Sequence, residues 1–200
     1  MIARMPKAGL LIIETILAIM ILGCPEADVR ERASDLSKLG VYENEEKGLS
    51  FKYPLSWTLM TPGEVVEKSR GVMAPATGAV IFVVNERDPD KNVNIIIVPA
   101  QKDYLTADEL EQLEVMLDGE YPKIFTGFKK ISAKLLTVAG VQSLEYVAEV
   151  DRVGKLLRVK GVMLVKEGRQ VILTFTAPSE SFSESDEACF ETILDTAEIR

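Results

Sequence analysis

Between residues 130 and 177 the chain runs through four long β-rich segments punctuated by glycine, and few folds can accommodate that. Segments 130–138, 142–150, 155–166 and 169–177 are separated by turns at Gly140, Gly154 and Gly168. Leu144, Tyr146, Ala148 and Val150 alternate with Glu145, Glu149 and Asp151, and Val171, Leu173, Phe175 and Ala177 repeat the rhythm. Side chains of a strand point alternately to opposite faces, so this pattern predicts a meander of antiparallel strands with one wetter face or edge. Arg158 and Lys160 opposite the acidic strand 145–151 read as cross-strand charge pairing.

Upstream, 49–53 alternates apolar and polar until Pro54, and 57–60 follows as a second short strand ended by Pro62-Gly63. Residues 79–84 and 93–98 are nearly continuous β-branched runs and read as central strands joined by the acidic turn 85–92. Residues 63–77 read as loop, with strand potential at Val65-Val66. Thr106-Ala107-Asp108-Glu109 is a capping box, after which Leu110, Leu113, Leu117 and Tyr121 recur at helical spacing, predicting a helix over 106–118. Gly119 and Pro122 mark a break. Residues 184–196 form a closing helix with Phe190, Ile193 and Leu194 on its buried stripe. The expected architecture is α+β, a central antiparallel sheet sandwiched between these helices over residues 47–200.

The first 23 residues read as an export leader: Arg4 and Lys7 as basic region, Leu10 to Leu22 as apolar region, then Gly23-Cys24. The apolar stretch falls short of the about 20 residues a bilayer span requires, and Glu14 interrupts it. Ile21-Leu22-Gly23-Cys24 resembles a bacterial lipobox, with cleavage at Gly23 and a lipid on Cys24 that holds the chain at a membrane. A prepilin-type leader is the alternative, with cleavage at Gly9 and Glu14 as fifth mature residue, although Pro25, Glu26 and Asp28 end the apolar run early. A plain signal peptide or uncleaved anchor is the third. Residues 24–46 read as a polar tether, with a short helix around 30–39.

The formal charge is −8, and removing Arg4, Lys7 and Glu14 with the leader takes it to −9. Such a chain lacks the basic face that a nucleic-acid partner requires. There is no histidine, which excludes Ser-His-Asp and Cys-His catalysis, histidine-ligated zinc and a histidine pH switch. With Cys24 lipidated, Cys189 reads as a small buried apolar residue, a Cys24–Cys189 disulfide being the minor alternative. Asp88, Asp90 and Asn92 alternate like the first ligands of a calcium loop. The match fails where Val93 replaces glycine and Pro99 replaces glutamate, so a solvated turn is favoured over weak calcium binding. No other cofactor is expected. Trp57 and Tyr53 read as core or cleft wall. An enzyme would need an acid pair such as Glu86 and Asp88 converging in a cleft.

The order of elements resembles the PsbP-like family. The resemblance is carried by Gly48-Leu49-Ser50-Phe51-Lys52-Tyr53-Pro54-Leu55-Ser56-Trp57, by Asn92 to Pro99, by the Val138-Ala139-Gly140 turn, by the Val165 to Leu173 hairpin and by Thr176-Ala177-Pro178. It covers about residues 47–199. It implies an antiparallel sheet with helices on both sides, and a non-catalytic role. Photosynthetic members are extrinsic photosystem II subunits that help retain calcium and chloride, and others are exported proteins or lipoproteins. Metal contacts that use histidine cannot be carried over. The expected function is a membrane-tethered accessory module outside the cytosol, partnered by the membrane through its lipid and by an envelope protein. A pilin-like assembly subunit is the alternative.

Overall fold

The computed structural model describes residues 38–68, 78–88, 90–152 and 154–200. The elements are β1 (Leu39–Asn44), β2 (Leu49–Pro54), β3 (Trp57–Met60), α1 (Pro62–Lys68), β4 (Ala79–Asn85) and β5 (Asn92–Pro99). Next come α2 (Ala107–Gly119), the single turn α3 (Tyr121–Ile124), β6 (Lys129–Val138), β7 (Val141–Arg152), β8 (Lys155–Lys166) and β9 (Arg169–Pro178). A 3-10 turn (Ser179–Ser181), α4 (Glu184–Thr196) and β10 (Glu198–Ile199) close the chain.

Seven strands form one sheet in the order β3-β4-β5-β9-β8-β7-β6, and β1-β2-β10 form a smaller one. All neighbours are antiparallel. The alternation legible between residues 144 and 177 sets the layers. Leu144, Tyr146, Ala148 and Val150 meet Leu110, Leu113 and Leu117 of α2 and Tyr121 of α3 on one face. Val171, Leu173, Phe175 and Ala177 point to the other, where Cys189, Phe190, Ile193 and Leu194 of α4 and Leu49 and Phe51 of β2 cover them. The helix–sheet–helix sandwich expected from the two period-two and period-3.6 patterns is what forms.

Both faces of the large sheet are thus dry at the centre, and the wetter part is its β6 edge, where Ile131 and Leu135 are exposed. The edge carries Lys129, Lys130 and Lys134 and a bulge between Lys130 and Ser132, features that discourage edge-to-edge pairing.

Two elements differ from expectation. Leu39–Asn44, inside the stretch read as tether, is a strand in full register with β2, and Tyr42 stacks on Phe51 at 4.9 Å. Its own sequence is too short and polar to declare a strand; pairing and one aromatic contact decide it. The helix expected around 30–39 lies outside the described residues except at its end, where Leu39 is in β1. Within 63–77, read as loop, Pro62–Lys68 is helical. Thr61 and Glu64 cap it reciprocally, the Glu64 carboxylate accepting from the Thr61 amide at 2.6 Å and hydroxyl at 2.8 Å, with Pro62 at the first helical position. Val65 then packs on Phe82 and Val84 of β4. Residues 69–77 lie outside the described set.

Candidate functional site

The acidic turn between β4 and β5 is held from both ends. The Asn85 side chain accepts from the amides of Arg87 (2.9 Å) and Asp88 (3.3 Å), and the Lys91 amide donates to Asp88 O at 2.9 Å. Lys91 Nζ lies 2.7 Å from Asp186 Oδ2. Asp186 in turn accepts from the hydroxyl (2.7 Å) and amide (3.2 Å) of Ser183 at the start of α4. The turn is therefore clamped to a helix 95 residues away in the chain.

Of the calcium-loop candidates, Asp90 receives Lys155 Nζ, and Asn92 donates from its amide to Asp90 O at 3.3 Å. Asp88 is partly buried, and burial pushes its carboxyl up, offset by Lys91. Among the described residues no three of His, Cys, Asp or Glu converge as a metal cage. Glu86 accepts a hydrogen bond from the Thr58 hydroxyl. Gly9, Glu14, Gly23 and Cys24 lie outside the described residues.

On the α4 face the buried charges form one cluster. Lys160 meets Glu187 at 2.8 Å, Glu145 at 3.6 Å and Glu191. Burial works to lower the Lys160 ammonium pKa, but the hydrogen bonds to Glu187 and Glu191 and the Glu145 charge outweigh it and hold the group well above its ordinary value. Arg158 stands directly opposite Glu149 and reaches it at 3.3 Å, as the alternation of charges predicted. Cys189 is a free, buried thiol pushed well up by burial and by neighbouring Asp186, which makes it a poor nucleophile. Trp57 is core, 6.2 Å from Phe175, and Tyr53 packs edge-on to Phe51.

The face under α2 and α3 holds an uncharged polar strip that sequence reasoning missed. Asn92 pairs with Thr176 and Asn94 with Thr174 across β5 and β9, and all four are buried. Both side-chain polar atoms of Asn94, the Thr174 and Thr176 hydroxyls and the Tyr121 hydroxyl find no partner within hydrogen-bond distance. The Tyr146 ring lies across Gly161, where a Cβ would overlap it. Burial pushes the Tyr146 phenol well up, and burial pushes Tyr121 the same way. The one sequence signal was Asn94, a polar residue in the middle of an apolar β-branched run.

No family model matches this chain, and no curated protein matches it. Solved structures do. Cyanobacterial PsbP (CyanoP) from Synechocystis sp. PCC 6803 superposes with a TM-score of 0.54 at 15% identity, covering 88% of this chain and 98% of that one. The Ran-binding protein Mog1p of Saccharomyces cerevisiae gives 0.51 at 7% identity, covering 81% and 95%. A Bacteroides thetaiotaomicron protein gives 0.50 at 14% identity over 76% of this chain, which spans only 45% of that one. At such identities the likeness is one of architecture, and CyanoP and Mog1p show it carried under different functional names. The superposition on CyanoP over nearly the whole of both chains shows that this chain has a PsbP-like fold.

Proposed function

We propose that this protein is a non-catalytic binding module tethered to a membrane at the cell envelope, with Cys24 as its lipid attachment point. One observation supports the non-catalytic part above others. Each buried charged residue among the described ones, Lys91, Glu145, Lys160 and Asp186, is paired with an opposite charge inside the fold. Catalytic acids and bases are poised toward a substrate; these groups are turned toward each other. The absence of histidine and the raised Cys189 thiol support the same reading. The envelope location is supported by the basic, apolar and Gly23-Cys24 leader.

Intact mass of the protein extracted from membranes tests the anchor. A mature chain starting at Cys24 with a diacylglyceryl mass is the expected result, and Cys24→Ser then releases the protein from membranes. A mature start at Leu10 overturns it in favour of a pilin-like subunit. For the non-catalytic part, a hydrolase screen is expected to find no turnover; turnover lost on neutralising Glu86 and Asp88 overturns it.

A further inference from the structure

Asn94 stands in mid-sheet, and the register decides what lies around it. It pairs with Phe82 of β4 on one side and Thr174 of β9 on the other, and Thr174 pairs in turn with Gly161 of β8. Two residues nearer the start of β5, Asn92 pairs with Thr176. Residues directly opposed in an antiparallel pair share a face, so the two asparagines and two threonines form one floor. Ile96 and Ile172, the next pair along, belong to the core under α2, which fixes the side that the floor faces. On that side α1 packs through Val65 on Phe82 and Val84, while α2 and α3 pack on Tyr146, Ala148 and Val150 of β7. The floor lies on β5 and β9, between those flanks.

The floor is polar and its groups are unserved. Asn94, Thr174 and Thr176 are buried, yet both side-chain polar atoms of Asn94 and both hydroxyls lack a hydrogen-bond partner. The Tyr121 hydroxyl, on the same side, shares that condition, with its ring edge-on to Tyr146 at 6.3 Å. Buried polar groups are rarely left so, and here five such atoms gather on one face. Alternate residues lie about 7 Å apart along a strand and neighbouring strands about 5 Å apart, which gives the floor the footprint of a small polyol or a single sugar ring. Its walls are aromatic: Phe82 beside Asn94, and the Tyr146 ring lying across Gly161 beside Thr174.

None of these side chains carries a charge, so a charged ligand would lose its hydration without compensation. The Asn94 carboxamide presents a donor and an acceptor side by side, and each hydroxyl serves as either. A primary amide answers Asn94 alone, whereas adjacent hydroxyls along a carbon skeleton answer Asn94 and both threonines together. We propose that this floor binds a small uncharged polyhydroxyl molecule, a polyol or a sugar ring, with Asn94 bridging two adjacent hydroxyls and Thr174 and Thr176 holding the next. The inference rests on the reading of the chain as a non-catalytic binding module and gives that module a ligand class.

The test is two-dimensional NMR of the full chain, isotope-labelled and held in a detergent without hydroxyl groups. It is titrated separately with glycerol, erythritol, glucose and myo-inositol, with acetamide and lactate as controls. The expected result is saturable shifts of the Asn94 side-chain amide and the Thr174 and Thr176 methyls with at least one polyol and with neither control. Asn94→Leu and Thr176→Val remove unpartnered atoms and so keep the fold, and each is expected to weaken that binding about tenfold at the remaining signals. No saturable shift with any polyol, or shifts unchanged in both variants, overturns the site. Saturation by acetamide or lactate alone overturns the ligand class. Cross-peaks from the Asn94 amide to water that persist at polyol excess overturn the inference in favour of buried solvent. A polyol bound at these residues but recovered chemically altered upholds the site and overturns the non-catalytic reading.

Discussion

Lys91 and Asp186 form a buried ion pair, Nζ to Oδ2 2.7 Å, with side chains 7% and 4% exposed. Asp186 also caps α4 through Ser183, so one carboxylate joins the β4–β5 turn to the start of the last helix. Removing one partner of such a pair leaves the other charged and without compensation. Lys91→Met is expected to destabilise the domain by about 3–5 kcal/mol, lowering the melting temperature by about 6–20 °C. The double variant Lys91→Met, Asp186→Asn should recover part of the loss, since it removes the stranded charge. Urea titration of the two variants checks this; equal loss in both would show that the cap, not the pair, matters.

Stability should fall on the alkaline side. Cys189, Tyr121, Tyr146 and Lys160 all hold their protons more tightly folded than unfolded. Their contribution is complete below the unfolded pKa values and is lost as pH rises toward the folded ones. Loss therefore begins near the ordinary thiol value of about 8.5 and steepens above about 10, where tyrosine and lysine join. Each proton retained only by the folded state costs about 1.4 kcal/mol per pH unit. Cys189→Ala is expected to flatten the first stage, between about pH 8.5 and 10, whatever its effect at neutral pH. Urea midpoints measured from neutral to strongly alkaline pH decide it.

Calcium should matter little. Asp90 is engaged by Lys155 and Asn92 bonds back to its own turn, so a cation would have to displace both. A site of the weak extracellular class, with Kd of about 1 mM, adds only about 0.4 kcal/mol at an equal calcium concentration. Chelation is expected to leave the melting temperature nearly unchanged. Micromolar affinity by calorimetry, abolished in Asp88→Asn, would show a real calcium site.

The polar strip beneath α2 makes a prediction of opposite sign from most core substitutions. The Thr176 hydroxyl is buried without a partner, so Thr176→Val should be neutral or stabilising by up to about 1 kcal/mol. Asn94→Leu should behave likewise, since it removes two unpartnered atoms at once. Losses above about 1 kcal/mol in both variants would mean that these groups are satisfied in solution, by water or a bound molecule.

Gly161→Ala places a methyl against the Tyr146 ring and is expected to cost about 1–3 kcal/mol through overpacking. Adding Tyr146→Leu should cancel part of that cost. Thermal denaturation of the single and double variants reads the coupling directly.

The local patterns carried the architecture. Period-two alternation from Leu144 to Val150 and from Val171 to Ala177 is enough to specify strands, because each face of a strand must choose between core and water. Thr106 with Glu109 and the stripe Leu110, Leu113, Leu117 specify α2 equally well, since cap and packing face lie within a few residues. The same signature stands at Thr61 and Glu64, ahead of a segment that reads as loop with strand potential at Val65-Val66, and it is the packing of Val65 on Phe82 and Val84 that makes a helix of it. What tertiary structure alone decided involves residues distant in sequence. Leu39–Asn44 is a strand only because β2 supplies hydrogen bonds and Phe51 a ring for Tyr42. Lys91 finds Asp186, and Asn94 faces Thr174, only once β5 lies beside β9 and α4 closes over the opposite face. Short-range chemistry chooses each element's conformation, but pairing energies between distant groups exist only after the chain has brought them together. The fold could therefore be read from the residues, while the ion-pair clamp and the unpartnered polar strip became visible only in three dimensions.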